Sequence, residues 1–190
     1  STMSIESLRD ALPDFARDIK LNLGSVLSPE GAPELTQDQV LGIALASAYA
    51  TNNRTIIEAI TAESANVLAE EKVTAAKAAA TIMAMNNVYY RFTHYVSDKD
   101  IVGLPAKLRM NIIGNPGIPK VDFELYSLAV SAINGCGKCM EAHAHELSKA
   151  GVAKPSIQSA VRIAAVINGA AQAANIAQAS DSAVNAAVAA

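Results

Sequence analysis

Apolar residues recur at helical spacing along almost the whole chain, and Pro, Gly and Asn divide them into separate segments. The pattern predicts short helices over Ser4–Leu12 and Phe15–Leu27, followed by a loop rich in Pro and Gly. Thr36 and Gln39 have the spacing of a capping box ahead of the apolar run Val40–Ala50. We therefore expect a buried helix to begin near Thr36.

The rest of the chain divides in the same way, with breaks at Asn52-Asn53, Asn115–Pro119 and Asn134-Gly135. Asp98–Gly103 is a predicted connection, and the Ala-rich residues 181–190 are expected to fray. The further predicted helices are Arg54–Ala69, Lys72–Arg91, Leu104–Ile113, Lys120–Ile133, Cys136–Ala150 and Pro155–Ala179. The fold class predicted is all-α, with one domain over residues 3–180.

A weak internal repeat is visible at an offset of 84 residues, which places Ser47-Ala48 over Ser131-Ala132 and Asn52 over Cys136. The corresponding helical halves would be about 36–92 and 120–179. Because Ala matches carry little information in an Ala-rich chain, an ancestral duplication stays an open alternative. In either case only the second half contains thiols.

The amino-acid composition and charge argue against several classes of fold and function. Of the 190 residues 51% are hydrophobic but only 4% aromatic, and Trp is absent, which favours close-packed helices over a sheet. The formal net charge is -3, without a basic stripe or a long apolar run, so neither nucleic-acid binding nor a membrane span is predicted. No signal-peptide pattern is present, so a cytoplasmic location is expected. Ser1-Thr2, ahead of Met3, are expected to be a cloning remnant.

The two cysteines of the chain form one C-x-x-C motif, Cys136 and Cys139, and His143 follows four residues later. Two thiols at this spacing on one helical turn can close a disulfide, and the same spacing is typical of thiol–disulfide exchange. In a reducing compartment a lone motif of this kind is not expected to be a structural staple. The sequence therefore predicts redox chemistry at a dithiol.

The turn signal before Cys136 places this residue at or near a helix N-terminus, where the helix dipole favours a thiolate. Cys136, Cys139 and His143 would then share one helix face, with His143 one turn beyond Cys139 as a base. The alternative for His143 is a purely structural histidine. Lys138 and His145 point away from this face, although Lys138 adds positive charge near both sulfurs.

A histidine base usually needs an orienting carboxylate, and the sequence offers two. Glu146 is three residues beyond His143 on nearly the same face, and helical spacing favours it. Glu124 lies on the preceding helix in an apolar segment, where a carboxylate is expected to be partly buried. A zinc site with Cys136, Cys139 and His143 is a further alternative, although structural zinc usually recruits a second Cys or His pair.

One near-continuous stretch, Leu108–Leu147, resembles the AhpD family of alkyl hydroperoxide reductases, within the carboxymuconolactone-decarboxylase-like superfamily. The resemblance is looser but visible from Ser4 onward. The motifs that carry it are Leu108–Ile113, Asn115–Pro119, Phe123-Glu124-Leu125, Ala129–Cys136 and Cys139 with His143.

The resemblance implies an all-α fold with two related halves, the second carrying the C-x-x-C, and a homotrimer. It implies a lipoyl-dependent peroxidase with no tightly bound cofactor. The dithiol would be reduced by the dihydrolipoyl group of a dihydrolipoamide acyltransferase, itself reduced by lipoamide dehydrogenase and NADH. Electrons would pass to alkyl hydroperoxides and to the peroxiredoxin AhpC. The family's proton relay falls on Glu124, His143, Cys139 and Cys136, and favours Glu124 over Glu146.

The chain departs from the mycobacterial members of this family at Lys138, where they carry a His between the cysteines. Dithiol exchange is thus a firmer expectation than the peroxidase rate. The alternative function is a thiol–disulfide adaptor that reduces AhpC and has negligible peroxidase activity of its own.

Overall fold

The computed structural model describes residues 4–190 and contains helices but no strand in that range. This confirms the all-α prediction. Ser1 and Thr2 lie outside the described residues. The helices are α1 (Ile5–Ala11), α2 (Arg17–Val26), α3 (Gln37–Ala50), α4 (Arg54–Ser64), α5 (Glu70–Tyr95), α6 (Lys99–Val102), α7 (Lys120–Asn134), α8 (Gly137–Lys149) and α9 (Lys154–Ala189), with 3-10 turns at Asp14–Ala16 and Asn111–Ile113.

The centre of the core is formed by α3 and α7, which pack against each other and against α5 and α9. Every residue from Val40 to Ala48 is buried, so α3 is apolar on all sides, as expected of a helix enclosed by others. At their crossing Gly42 contacts the ring of Tyr126, and a Cβ at position 42 would overlap the phenol. Small residues therefore let the two central helices approach closely.

The start of α3 confirms the predicted capping box. The Thr36 hydroxyl accepts a hydrogen bond from the Gln39 backbone N–H at 3.1 Å, and the Gln39 side chain accepts one from the Thr36 N–H at 3.0 Å. The break at Asn52-Asn53 is also present, because Asn52 has a φ of 56° and Asn53 caps α4 through its side chain.

Several predicted boundaries are wrong. Leu104–Ile113 is not a helix: Pro105 disfavours helical backbone at Leu104, and Lys107 has a φ of 53°. The predicted connection Asp98–Gly103 contains the short helix α6, which the side chain of Asp98 caps. The helix predicted to reach Ala69 ends at Ser64. At the other end of the chain, α9 continues to Ala189 through exposed residues.

The helices α3, α4 and α5 follow the same order as α7, α8 and α9, and their starting residues differ by 83 or 84 positions. Each middle helix packs against the last helix of the other set, α4 on α9 and α8 on α5. An origin of this arrangement by duplication stays a prediction. The packing of α8 on α5 brings the cysteine motif against a helix that is distant in sequence. No helix in residues 4–190 is both long and apolar enough to cross a membrane.

Candidate active site

The dithiol lies at the junction of α7 and α8. Gly135 ends α7 with a φ of 74°, a left-handed conformation that glycine adopts without steric cost. Cys136 is the N-cap of α8, and its Sγ accepts a hydrogen bond from the backbone N–H of Cys139 at 3.2 Å. Helix α8 thus begins at the break that the sequence predicts. The Cys136 sulfur accepts a hydrogen bond from one of the N–H groups that the first turn of a helix leaves unpaired.

The two sulfurs are joined as a Cys136–Cys139 disulfide, with Cα atoms 5.3 Å apart. The two cysteines differ in accessibility. Cys136 is fully buried, whereas Cys139 is 7% exposed and lines a cavity. A molecule that enters this cavity would therefore meet the sulfur of Cys139 first.

His143 is held by the carboxylate of Glu124. The Nδ1 atom of His143 lies 2.7 Å from Oε2 of Glu124, and both side chains are largely buried. Because an ionised carboxylate only accepts hydrogen bonds, this contact requires a proton on Nδ1, and in the neutral imidazole the free lone pair is then on Nε2. This Nε2 atom is buried and has no hydrogen-bond partner in the structure. His143 therefore presents a basic nitrogen one helical turn beyond Cys139.

Of the two carboxylates that the sequence offered, Glu124 is the one in contact with His143. Glu146 is exposed and has no contact with His143 among the described hydrogen bonds and ion pairs; it borders a second pocket between α7 and α8, which Glu124 also lines. Helical spacing alone favoured Glu146. Packing of α7 on α8 instead brings the Glu124 carboxylate to the His143 ring.

The cavity beside Cys139 has a volume of about 240 Å³. On the α8 side it is lined by Cys139, His143 and Ala142, and Lys138 stands at its edge. The opposite walls come from α5 and from the segment before α7, and consist of Met83, Asn86, Tyr90, Met110 and Ile113. Most of this surface is apolar, so the cavity suits a ligand with a hydrocarbon body.

The contributions of α5 and of Met110–Ile113 to the cavity were not foreseen from the sequence. The one available signal was Asn86-Asn87, a pair of amides inside a helix whose neighbouring turns are apolar. Asn87 holds α5 to the junction: its Nδ2 donates to Ser131 Oγ at 2.9 Å, and Asn134 Nδ2 donates to its Oδ1 at 3.1 Å. This buried network fixes the far wall of the cavity relative to the dithiol.

Lys138 and His145 are exposed, as the helix geometry predicts. The Lys138 side chain nevertheless reaches α5, where its Nζ lies 5.4 Å from the centre of the Tyr90 ring and 3.4 Å from Thr93 Oγ1. The contact with Tyr90 is a cation–π interaction. Lys138 therefore bridges α8 and α5 at the edge of the cavity.

Within residues 4–190 no group of three or more His, Cys, Asp or Glu side chains is arranged to hold a metal ion. In the structure the two cysteines of the zinc alternative are joined to each other.

An all-α fold, a C-x-x-C disulfide at a helix N-terminus and a buried His–Glu pair together define a helical dithiol protein of the oxidoreductase class. Residues 100–182 match the Carboxymuconolactone decarboxylase family. The chain is 60% identical over 168 residues to alkyl hydroperoxide reductase AhpD of Coxiella burnetii, covering 88% of this chain and 95% of that protein. The AhpD of Azorhizobium caulinodans is 56% identical over 169 residues, 89% of this chain and 92% of its own length. The AhpD of Hyphomonas neptunium is 54% identical over 170 residues, 90% and 93% of the two chains. The chain belongs to the AhpD family.

Proposed function

We propose that this protein is an alkyl hydroperoxide reductase with an antioxidant role, and that Cys136 and Cys139 are its redox centre. One observation carries the proposal: the Cys139 sulfur borders an apolar cavity beside a buried His143–Glu124 pair. The name shared by relatives at 54% to 60% identity supports the same activity. The cavity supplies room for an alkyl group, and the histidine supplies a base.

In the reduced protein, Nε2 of His143 takes the thiol proton of Cys139, and Glu124 stabilises the imidazolium through Nδ1–H. The Cys139 thiolate then attacks the terminal oxygen of the hydroperoxide. The O–O bond breaks as the S–O bond forms, and the departing alkoxide takes the proton from His143. The sulfur is oxidised to a sulfenic acid and the hydroperoxide is reduced to an alcohol.

Cys136 completes the oxidation as the resolving residue. Its sulfur accepts a hydrogen bond from the Cys139 N–H and lies at the N-terminus of α8. The hydrogen bond and the helix dipole both stabilise negative charge on that sulfur. As a thiolate it attacks the Cys139 sulfenic sulfur, hydroxide leaves and is protonated to water, and the disulfide forms. The dithiol loses two electrons in all, and these are the two that the hydroperoxide gains.

The disulfide is then reduced by a dithiol substrate, which we propose is the dihydrolipoyl group of a dihydrolipoamide acyltransferase. Its first thiolate attacks Cys139, the accessible sulfur, and its second thiol releases the mixed disulfide. Lipoamide dehydrogenase and NADH renew the dihydrolipoyl group, so no tightly bound cofactor is needed. We place this cycle in the cytoplasm, with AhpC as a second acceptor of the electrons.

We further propose that the protein functions as a homotrimer. In support, several large apolar side chains are exposed on the C-terminal half of α5 and on the segment that follows, among them Val88, Phe92, Tyr95 and Leu104. Exposed apolar side chains grouped in this way are typical of a protein–protein interface. Light scattering on the purified protein should give three times the mass of the chain; a monomer would reject this assembly.

The direct test of the function is NADH consumption in a mixture of lipoamide, lipoamide dehydrogenase and cumene hydroperoxide. We expect peroxide-dependent turnover by the wild type without AhpC, and its loss in Cys139→Ser. Turnover that begins only when AhpC is added would instead make the protein an adaptor. Absence of turnover in both mixtures would reject both functions.

A further inference from the structure

Asn86 places a second unsatisfied polar side chain at the cavity beside Cys139. The residue is 4% exposed and lines the same cavity as His143. Within residues 4–190 its Oδ1 atom is buried without a hydrogen-bond partner, and the one hydrogen-bond contact of its Nδ2 is with the Met110 sulfur, at 3.8 Å. A sulfur at that distance is a weak acceptor. A buried amide left so poorly paired calls for an explanation, because nearly all such groups in folded proteins are hydrogen-bonded.

A structural role in holding helices together does not explain the unpaired amide of Asn86. The adjacent Asn87 pairs both side-chain atoms across α7 and so holds the helices together. Asn86, one position along, makes no comparable bond between helices through its side chain. Its backbone oxygen lies 4.0 Å from Cys139 Sγ, so the residue is next to the more accessible sulfur. The amide is thus available to a molecule that enters the cavity.

The chemistry of the cavity lining indicates which class of molecule would bind there. Met83, Met110 and Ile113 offer apolar contact, and Asn86 Oδ1 and His143 Nε2 are buried polar atoms of the lining that have no hydrogen-bond partner within residues 4–190. An alkyl hydroperoxide has the matching chemistry: a hydrocarbon body, one O–H that must donate, and an inner oxygen that must receive a proton. An amide oxygen accepts the O–H, and the protonated His143 serves the inner oxygen.

We propose that Asn86 is the substrate-binding residue that accepts the hydroperoxide O–H and so directs the terminal oxygen to the Cys139 sulfur. The inference rests on the proposed function and names a recognition group for it. Two expected effects distinguish substrate binding by Asn86 from a purely structural role. Loss of the amide slows the reaction with hydroperoxides, and it leaves untouched the reactions of the same dithiol with reagents that lack this O–H.

The experiment compares wild type with Asn86→Leu, which keeps the shape of the side chain but cannot hydrogen-bond. Three reactions are followed by stopped flow: oxidation of the reduced protein by cumene hydroperoxide, oxidation by diamide, and reduction of the disulfide by dihydrolipoamide. We expect the first rate constant to fall at least about tenfold, as for a lost hydrogen bond to substrate, and the other two to stay within about twofold. Asn168→Leu makes the same change at an exposed asparagine of α9, outside the cavity lining, and as the matched control it should leave all three rate constants within about twofold of wild type.

Each outcome decides one point. A wild type that is not oxidised by cumene hydroperoxide would reject the proposed function, and this inference with it. A wild type that is oxidised, with Asn86→Leu equally fast, would reject the inference alone. Equal slowing of all three reactions would assign Asn86 a structural role and also reject it. If Asn86→Leu does not fold, Asn86→Ala is judged by the same three rates.

Discussion

Glu124 Oε2 and His143 Nδ1 lie 2.7 Å apart, although 19 residues and a helix junction separate them in the chain. The contact places the proton of the neutral imidazole on Nδ1, and Nε2 is buried without a hydrogen-bond partner in the described residues. His143 is thereby given the orientation that a base requires, since its ring cannot turn without breaking a charge-assisted hydrogen bond.

Glu124→Gln should slow oxidation of the reduced protein by cumene hydroperoxide by about tenfold to a hundredfold, because a neutral amide stabilises the imidazolium less. The rate is measured by stopped flow on purified protein. Glu146→Gln is the matched control, since Glu146 is an exposed carboxylate of the neighbouring turn, and it should react within about twofold of wild type. A larger effect at Glu146 than at Glu124 would reverse the assignment.

The unequal exposure of the two sulfurs predicts which one becomes a sulfenic acid. In Cys136→Ser, Cys139 remains and should be oxidised and trapped by dimedone, giving a mass increase on the peptide that contains it. In Cys139→Ser, the fully buried Cys136 should be labelled at least about tenfold more slowly, since only the thiolate that meets the peroxide is oxidised. Faster labelling of Cys136 would make it the attacking residue.

The capping bond of Cys136 predicts a stability difference between two variants that both lack the disulfide. Serine can accept the Cys139 N–H in place of the sulfur, whereas alanine cannot. We therefore expect Cys136→Ala to have a free energy of unfolding about 1 kcal/mol below that of Cys136→Ser. Urea unfolding under reducing conditions measures the difference, and equal midpoints would show that the cap contributes nothing.

Tyr126 predicts a loss of stability at alkaline pH. Burial raises the pKa of its phenol above the ordinary value of 10.0, and the carboxylates of Asp122 and Asp38 raise it further. Below pH 10 the phenol is neutral in both states, so its contribution to stability is complete. Above that pH the unfolded chain ionises first, and the free energy of unfolding falls by up to about 1.4 kcal/mol per pH unit.

Tyr126→Phe should remove this part of the pH dependence. At neutral pH it should be as stable as wild type or more stable by about 1 kcal/mol, because the buried hydroxyl has no hydrogen-bond partner among residues 4–190. Urea midpoints at about pH 8 and about pH 10.5 test both statements. A Tyr126→Phe variant whose stability falls between the two pH values as steeply as that of wild type would exclude Tyr126 as the source.

Local patterns predicted many of the helix boundaries because they depend on neighbouring residues. The capping box of Thr36 and Gln39, the left-handed Gly135 and the start of α8 at the cysteine motif all follow from short-range sterics and hydrogen bonds. The helix predicted over Leu104–Ile113 was wrong because the apolar residues of this segment were given more weight than Pro105. The ring of a proline disfavours helical backbone at the residue before it.

The sequence by itself determined the helical class, the dithiol at a helix N-terminus and the histidine one turn beyond, since each depends on spacing within one segment. Only the tertiary structure decided the rest. Glu124 rather than Glu146 contacts His143 because α7 packs on α8, and Asn86 and Met110 line the cavity of Cys139 because α5 and the segment before α7 form its walls. Contacts between segments far apart in the chain depend on how whole helix faces pack, which no local pattern specifies.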